Sequence, residues 1–129
     1  MAYGTLLVDG LQSSTAGTPP LFYDGNSTQV GTLCRAWVQF NGQTAVISAS
    51  FNVSSITRSA VGVYQINYST AMPDNKYAAI SGGGTGAGGA INTSATFNSV
   101  LTTSCIMQAY TITGGGTTDP LVASFAVFR

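Results

Sequence analysis

The sequence predicts an all-β protein: an antiparallel β-sandwich of about seven or eight strands behind an extended N-terminal arm. Three observations predict it. Apolar residues alternate at period two, and no segment shows the 3.6-residue apolar spacing of an amphipathic helix. Strand-length runs are separated by turns rich in Gly, Asn and Pro. Helix formers are scarce, because 16 Gly, 14 Ser and 17 Thr occupy much of the 129 residues.

Taken in order, Thr5 to Asp9 reads as a short first strand, and residues 10–28 are rich in Gly, Ser, Thr and Pro, with Pro19-Pro20 breaking regular structure. Residues 1–32 are therefore read as an extended arm, and residues 33–129 as the sandwich. Leu33 to Phe40 is the clearest strand. Cys34, Ala36, Val38 and Phe40 share one face; Leu33, Arg35, Trp37 and Gln39 share a mixed face suited to another sheet or chain. Asn41-Gly42 predicts a type I′ hairpin turn, with Thr44 to Ser50 returning beside it. A second hairpin runs from Asn52 to Thr57, turns at Arg58-Ser59-Ala60, and returns through Val61 to Tyr68 with Tyr64, Ile66 and Tyr68 on one face.

Pro73-Asp74-Asn75 is a turn signal, followed by a short apolar strand, Tyr77 to Ile80. Gly82 to Gly89 predicts a mobile loop. Val100 to Thr113 is the longest candidate strand, with Val100, Ile106, Tyr110 and Ile112 on one face and Leu101, Cys105, Met107 and Ala109 on the other. After Gly114-Gly115-Gly116, the last strand, Leu121 to Phe128, is apolar on both faces, which places it in the middle of a sandwich or at a subunit interface.

Charge narrows the functional classes. Four acidic and four basic side chains give a net charge of zero, with no Glu and no His, while 44% of residues are apolar. A basic nucleic-acid surface is excluded, and so is intrinsic disorder. No run of 18 apolar residues exists to insert in a membrane, and the first residues lack the pattern of a signal peptide, so the chain is expected to be used as translated. So little surface charge points to an oligomer whose partner chains hide apolar groups.

Catalysis lacks its usual groups. Without His, a Ser or Cys nucleophile has only Lys76 as a base, and the four Asp residues lie far apart. Cys34 and Cys105 cannot make a standard zinc site alone; they read as buried thiols, or as a disulfide if their strands are neighbours. Gly84 to Gly89 matches GxGxxG in form, but no amphipathic helix follows it. Four Asn-X-Ser/Thr sequons begin at Asn26, Asn52, Asn67 and Asn92 and predict no glycan without a secretory signal. Tyr64, Tyr68 and Tyr77, with Trp37, are the aromatics on which a sugar ring would stack; their alternation suits core or interface packing equally well. No catalytic residue, cofactor or metal is expected.

The run Cys34-Arg35-Ala36-Trp37-Val38-Gln39-Phe40-Asn41-Gly42, followed by Ser50-Phe51-Asn52-Val53-Ser54-Ser55-Ile56-Thr57, resembles a stretch common in small fibre proteins of tailed bacteriophages, marine and cyanobacterial phages in particular. Tyr64 to Tyr68, Thr70 to Ala78 and Val122 to Arg129 are similar to that family in the same order, and Leu6 to Asp9 with Gln12 to Thr15 resembles its N-terminal arm. The resemblance implies a virion structural protein on the tail or head surface, made in the host cytoplasm. It further implies a homotrimer bound to other virion proteins through the arm, meeting a host surface glycan or protein by non-catalytic binding. Capsid decoration, a head fibre or a connector that stabilises the particle is the alternative. The loops at 58–62, 73–77, 82–90 and 114–119 supply the candidate contacts: Asp74, Asn75, Lys76, Tyr77, Thr85, Thr117 and Asp119. Trp37, Phe40, Tyr64, Tyr68, Phe125 and Phe128 are the candidate core or interface residues.

Overall fold

The computed structural model describes residues 10, 14, 22–23, 29–31, 33–84, 93–111 and 116–129. The expected strand at 5–9, the loop segment 85–90 with Thr85, and Ile112 to Gly115 lie outside the described residues. The chain divides into two units, Met1–Leu33 and Cys34–Arg129.

In the first unit, β1 (Phe22–Tyr23) pairs antiparallel with β2 (Gln29–Gly31), a short ladder that the polar composition of this segment did not announce. The second unit holds two antiparallel four-stranded sheets, and the described residues contain no helix. Its strands are β3 (Cys34–Phe40), β4 (Ile47–Phe51), β5 (Val53–Ala60), β6 (Val63–Tyr68), β7 (Ala78–Gly84), β8 (Thr93–Val100), β9 (Ser104–Thr111) and β10 (Val122–Phe128). The first sheet has the order β4-β3-β10-β7 and the second β5-β6-β9-β8. The β-sandwich expected from period-two alternation is therefore the observed fold.

Alternation decides what is buried. Ala36, Val38 and Phe40 of β3 join Ala123, Phe125 and Val127 of β10 on the inner face of the first sheet. Opposite them lie Tyr64, Ile66 and Tyr68 of β6 with Cys105, Met107 and Ala109 of β9. Two edge-to-face ring pairs lock the layers together: Phe40 on Tyr64, with centroids 5.1 Å apart, and Phe97 on Phe125 at 5.9 Å. Cys34 and Cys105 are both free thiols. Burial pushes the Cys105 thiol up to about 11, which keeps it protonated and unreactive at neutral pH.

The turns depart most from expectation. Asn41-Gly42 is not a two-residue turn; residues 41–46 form the loop, and the return strand starts at Ile47. The Asn41 side chain takes the role, accepting the N–H groups of Gln43 and Thr44 at 2.9 and 3.1 Å, while Ala45 adopts the left-handed conformation. Gly42 is required for space: a Cβ there would lie 2.5 Å from the Pro120 carbonyl oxygen and 2.6 Å from the Tyr64 hydroxyl.

Arg58-Ser59-Ala60 is strand, not turn. The turn is Val61-Gly62, because Gly62 supplies the positive φ of 69°. Gly82 to Gly84 belong to β7 rather than to a loop, since their backbones pair with Val122 to Ser124 of β10. The long strand expected over 100–113 is divided. Val100 ends β8, a strand missing from the sequence reading; the chain turns at 101–103, and β9 begins at Ser104. Leu101, expected to share a face with Cys105 and Met107, is exposed in that turn.

Asn52 makes the corner at which the chain leaves the first sheet for the second. It takes a φ of 55°, donates its amide to the carbonyls of Arg35 and Thr70 (3.0 and 3.1 Å) and accepts the Thr70 N–H at 2.7 Å.

Candidate functional site

The two sheets present different outer faces. On the second sheet, polar side chains bond to one another. Asn67 donates to Ser55 (3.0 Å) and Thr57 (3.5 Å), Gln65 donates to Asn67 (2.7 Å), and Tyr110 donates to Gln108 (2.5 Å). Their polar capacity is largely spent inside the molecule.

The outer face of the first sheet is built from the alternate residues of β4, β3, β10 and β7. Strand register aligns Phe51, Trp37, Ala126 and Ile80 in one row across the sheet, and Ala49, Gln39, Ser124 and Gly82 in the next. Small residues at Ala49, Ser124, Gly82 and Ala126 make a floor, with Trp37 on one side and Ile80 on the other. Neighbouring strands are about 4.8 Å apart, so β3 and β7, two strands apart, stand about 10 Å from each other. The result is an open groove of about 550 Å³, lined by Trp37, Gln39, Ala49, Ile80, Gly82, Ser124 and Ala126 together with backbone of the same strands. None of its lining residues is charged. Trp37 is 39% exposed and Ile80 57%, both inside strands, and Phe51 at the end of β4 is 55% exposed, so three large apolar side chains share one open row. The side chains of Gln39 and Ser124, directly opposed across β3 and β10, form no hydrogen bond among the described residues.

The residues expected at a contact surface do not converge. Asp119 and Thr117 precede β10, while Asp74, Asn75 and Lys76 lie near Arg129 after it, so the two groups are at opposite ends of that strand. Asp119 is a structural anchor rather than a free contact. It accepts from Nε and Nη2 of Arg58 (3.1 and 2.6 Å), from the Gly62 N–H (2.7 Å) and from the Tyr64 hydroxyl (2.6 Å). The Arg58 guanidinium holds this carboxyl at about 2, despite the opposing cost of burial. Burial, then the bond to Asp119, pushes the Tyr64 hydroxyl well above its ordinary value.

Asp74 is also engaged, accepting from Arg129 (2.6 Å) and from the Lys76 N–H (2.8 Å), and Arg129 holds it at about 2. Tyr77 points inward. Its ring packs edge-on against Tyr68, and its hydroxyl donates to the Leu101 carbonyl at 2.9 Å; burial pushes it up to about 12. Asn75, Lys76 and Thr117 remain exposed.

Of the six candidate core or interface residues, Phe40, Tyr64, Tyr68 and Phe125 are buried. Phe128 is half-buried on the outward register of β10, and Trp37 lies outside the core as a wall of the groove. The other groove residues were not among the candidate site residues. The signals for them were the mixed face of residues 33–39 and the second apolar face of the last strand. Among the described residues no group of His, Cys, Asp or Glu is placed to hold a metal ion.

Compared with protein-family models, curated proteins and solved structures, the chain finds no match.

Proposed function

We propose that this chain is a virion structural protein of a tailed bacteriophage, a short fibre that displays its β-sandwich for attachment to the host surface by binding rather than catalysis. The observation that carries the binding reading is the uncharged groove on the first sheet, where an exposed tryptophan stands beside two exposed polar side chains that bond to no other described residue. The described Asp side chains, by contrast, are engaged in bonds that hold loops to strands, an arrangement suited to a scaffold rather than to acid–base chemistry. The phage assignment rests on the ordered resemblance of residues 34–42, 50–57, 64–68, 70–78 and 122–129 to small fibre proteins. A homotrimer follows from the same resemblance and from the low charge; three copies of one weak site would add avidity without any tight single contact.

Gold-labelled antibody against residues 33–129 on intact particles tests the proposal. Label at the tail or the fibre tips is the expected result. Label spread over the head replaces attachment with capsid decoration, and unlabelled virions overturn both. Light scattering that returns the mass of a single chain removes the trimer.

A further inference from the structure

We infer that the groove on the first sheet binds a neutral sugar, with a pyranose ring stacked on Trp37 and its hydroxyls bonded to Gln39 and Ser124. The inference names the ligand class of the attachment face proposed above and rests on that reading.

Four observations lead there. The groove volume, about 550 Å³, falls within the range of about 300–1,000 Å³ usual for small-ligand sites. Its floor is made of Ala, Ser and Gly, so room is left above the sheet between Trp37 and Ile80. An exposed aromatic face offers the apolar C–H side of a sugar ring a flat surface that excludes water. Next to it, the Gln39 amide supplies donors and an acceptor and the Ser124 hydroxyl one donor and further acceptor capacity, all neutral and unspent among the described residues.

Charge selects the kind of sugar. With no cation in the lining, a sulfated or sialylated glycan seated in the groove would surrender the hydration of its anion with no ion-pair partner among the lining residues; Arg35, two residues before Trp37 on β3, lies outside that lining. A neutral hexose incurs no such loss. An apolar protein face fits this surface less well. An apolar partner face laid over Gln39 and Ser124 would bury both without partners, at about 1–3 kcal/mol for each group left unsatisfied.

Trp37 is the single tryptophan of the chain, so its fluorescence reports from this site alone. Neutral oligosaccharides of glucose, galactose and mannose, two to six units long, are titrated into the full chain, with sialylated and sulfated glycans alongside. A saturable change in Trp37 emission with a neutral member, unaffected by added salt, is expected. By calorimetry, Trp37→Ala should weaken binding at least about tenfold, and Gln39→Ala and Ser124→Ala each by about fivefold. Trp37→Phe, which keeps a stacking ring, should retain most of the affinity and guards against misfolding of the alanine variant.

Binding confined to acidic glycans, no response to any neutral sugar, or full affinity in Gln39→Ala and Ser124→Ala overturns the inference. A shift of Trp37 emission with protein concentration alone also overturns it, by seating a second copy in the groove. Label on fibre tips with no sugar bound sinks this inference and leaves the attachment reading standing. Sugar binding with bare virions does the reverse.

Discussion

The two outer faces of the sandwich share an architecture and differ in how their side chains are used. Both belong to four-stranded antiparallel sheets, and both carry neutral polar groups. On the second sheet Gln65, Asn67, Ser55 and Thr57 close a network among themselves, so the face is finished. On the first, Gln39 and Ser124 stand in the row next to Trp37 and Ile80, and their side chains bond to no other described residue. A face that contributes little to its own fold is free to be used for contact. The comparison therefore separates stability, held in the core and on the second sheet, from the contact role proposed for the first.

Four measurements sharpen or break that separation. The largest effect belongs to the core that both faces share. Phe125→Ala removes a buried ring from β10 and should cost about 3–5 kcal/mol in urea unfolding, enough to unfold a marginal domain. An unchanged midpoint would mean that the layers are not held together where the ring pairs place them.

Acid comes next. The folded value of Asp119 lies below its unfolded one, so the stability it contributes is fully present above about pH 4 and is lost as pH falls through about 2. Urea midpoints measured from about pH 5 downward should fall across that window, and Asp119→Asn should flatten most of the fall. Asp74→Asn should flatten less, since water screens its more exposed pair with Arg129.

Smaller is Asn67→Ala on the finished face, which frees partners at Gln65, Ser55 and Thr57 and should cost about 1 kcal/mol. Smallest is Ser124→Ala in the groove, expected within about 0.5 kcal/mol of the parent. If Ser124→Ala proves as costly as Asn67→Ala, the first face is structural after all and the comparison fails.

Much of the fold was legible because burial obeys a period of two. Ala36, Val38 and Phe40, and likewise Tyr64, Ile66 and Tyr68, alternate so cleanly that their strands and inward faces follow from the sequence. The turns were not legible, for local reasons. Asn41-Gly42 has the composition of a tight hairpin, but Gly42 is there to let Pro120 and Tyr64 approach, a long-range contact invisible to neighbouring residues. Gly82 to Gly84 read as loop because strand propensity is carried by side chains, whereas their place in β7 comes from backbone pairing to β10.

The site was legible only in outline. The mixed face of Leu33 to Gln39 marked β3 as a surface for something else, and the second apolar face of the last strand marked β10. That the two lie side by side, with Gln39 opposite Ser124, depends on a pairing between strands more than eighty residues apart. Asp119 and Tyr77 misled because turn-borne polar groups are as useful for tying a loop to the core as for meeting a partner.

The central place of β10 has a consequence for how the molecule comes into being. Of the four strands in the first sheet it is synthesised last, yet it alone joins β3 to β7. The hairpin of β5 and β6 can close as soon as it emerges, but until residues 122–128 arrive, β3 and β7 have no common neighbour and each leaves a row of N–H and C=O groups open to solvent or to another nascent chain. The sheet that carries the groove is thus completed after the second sheet, whose strands all precede β10, and a chain halted before Val122 lacks the floor of the groove.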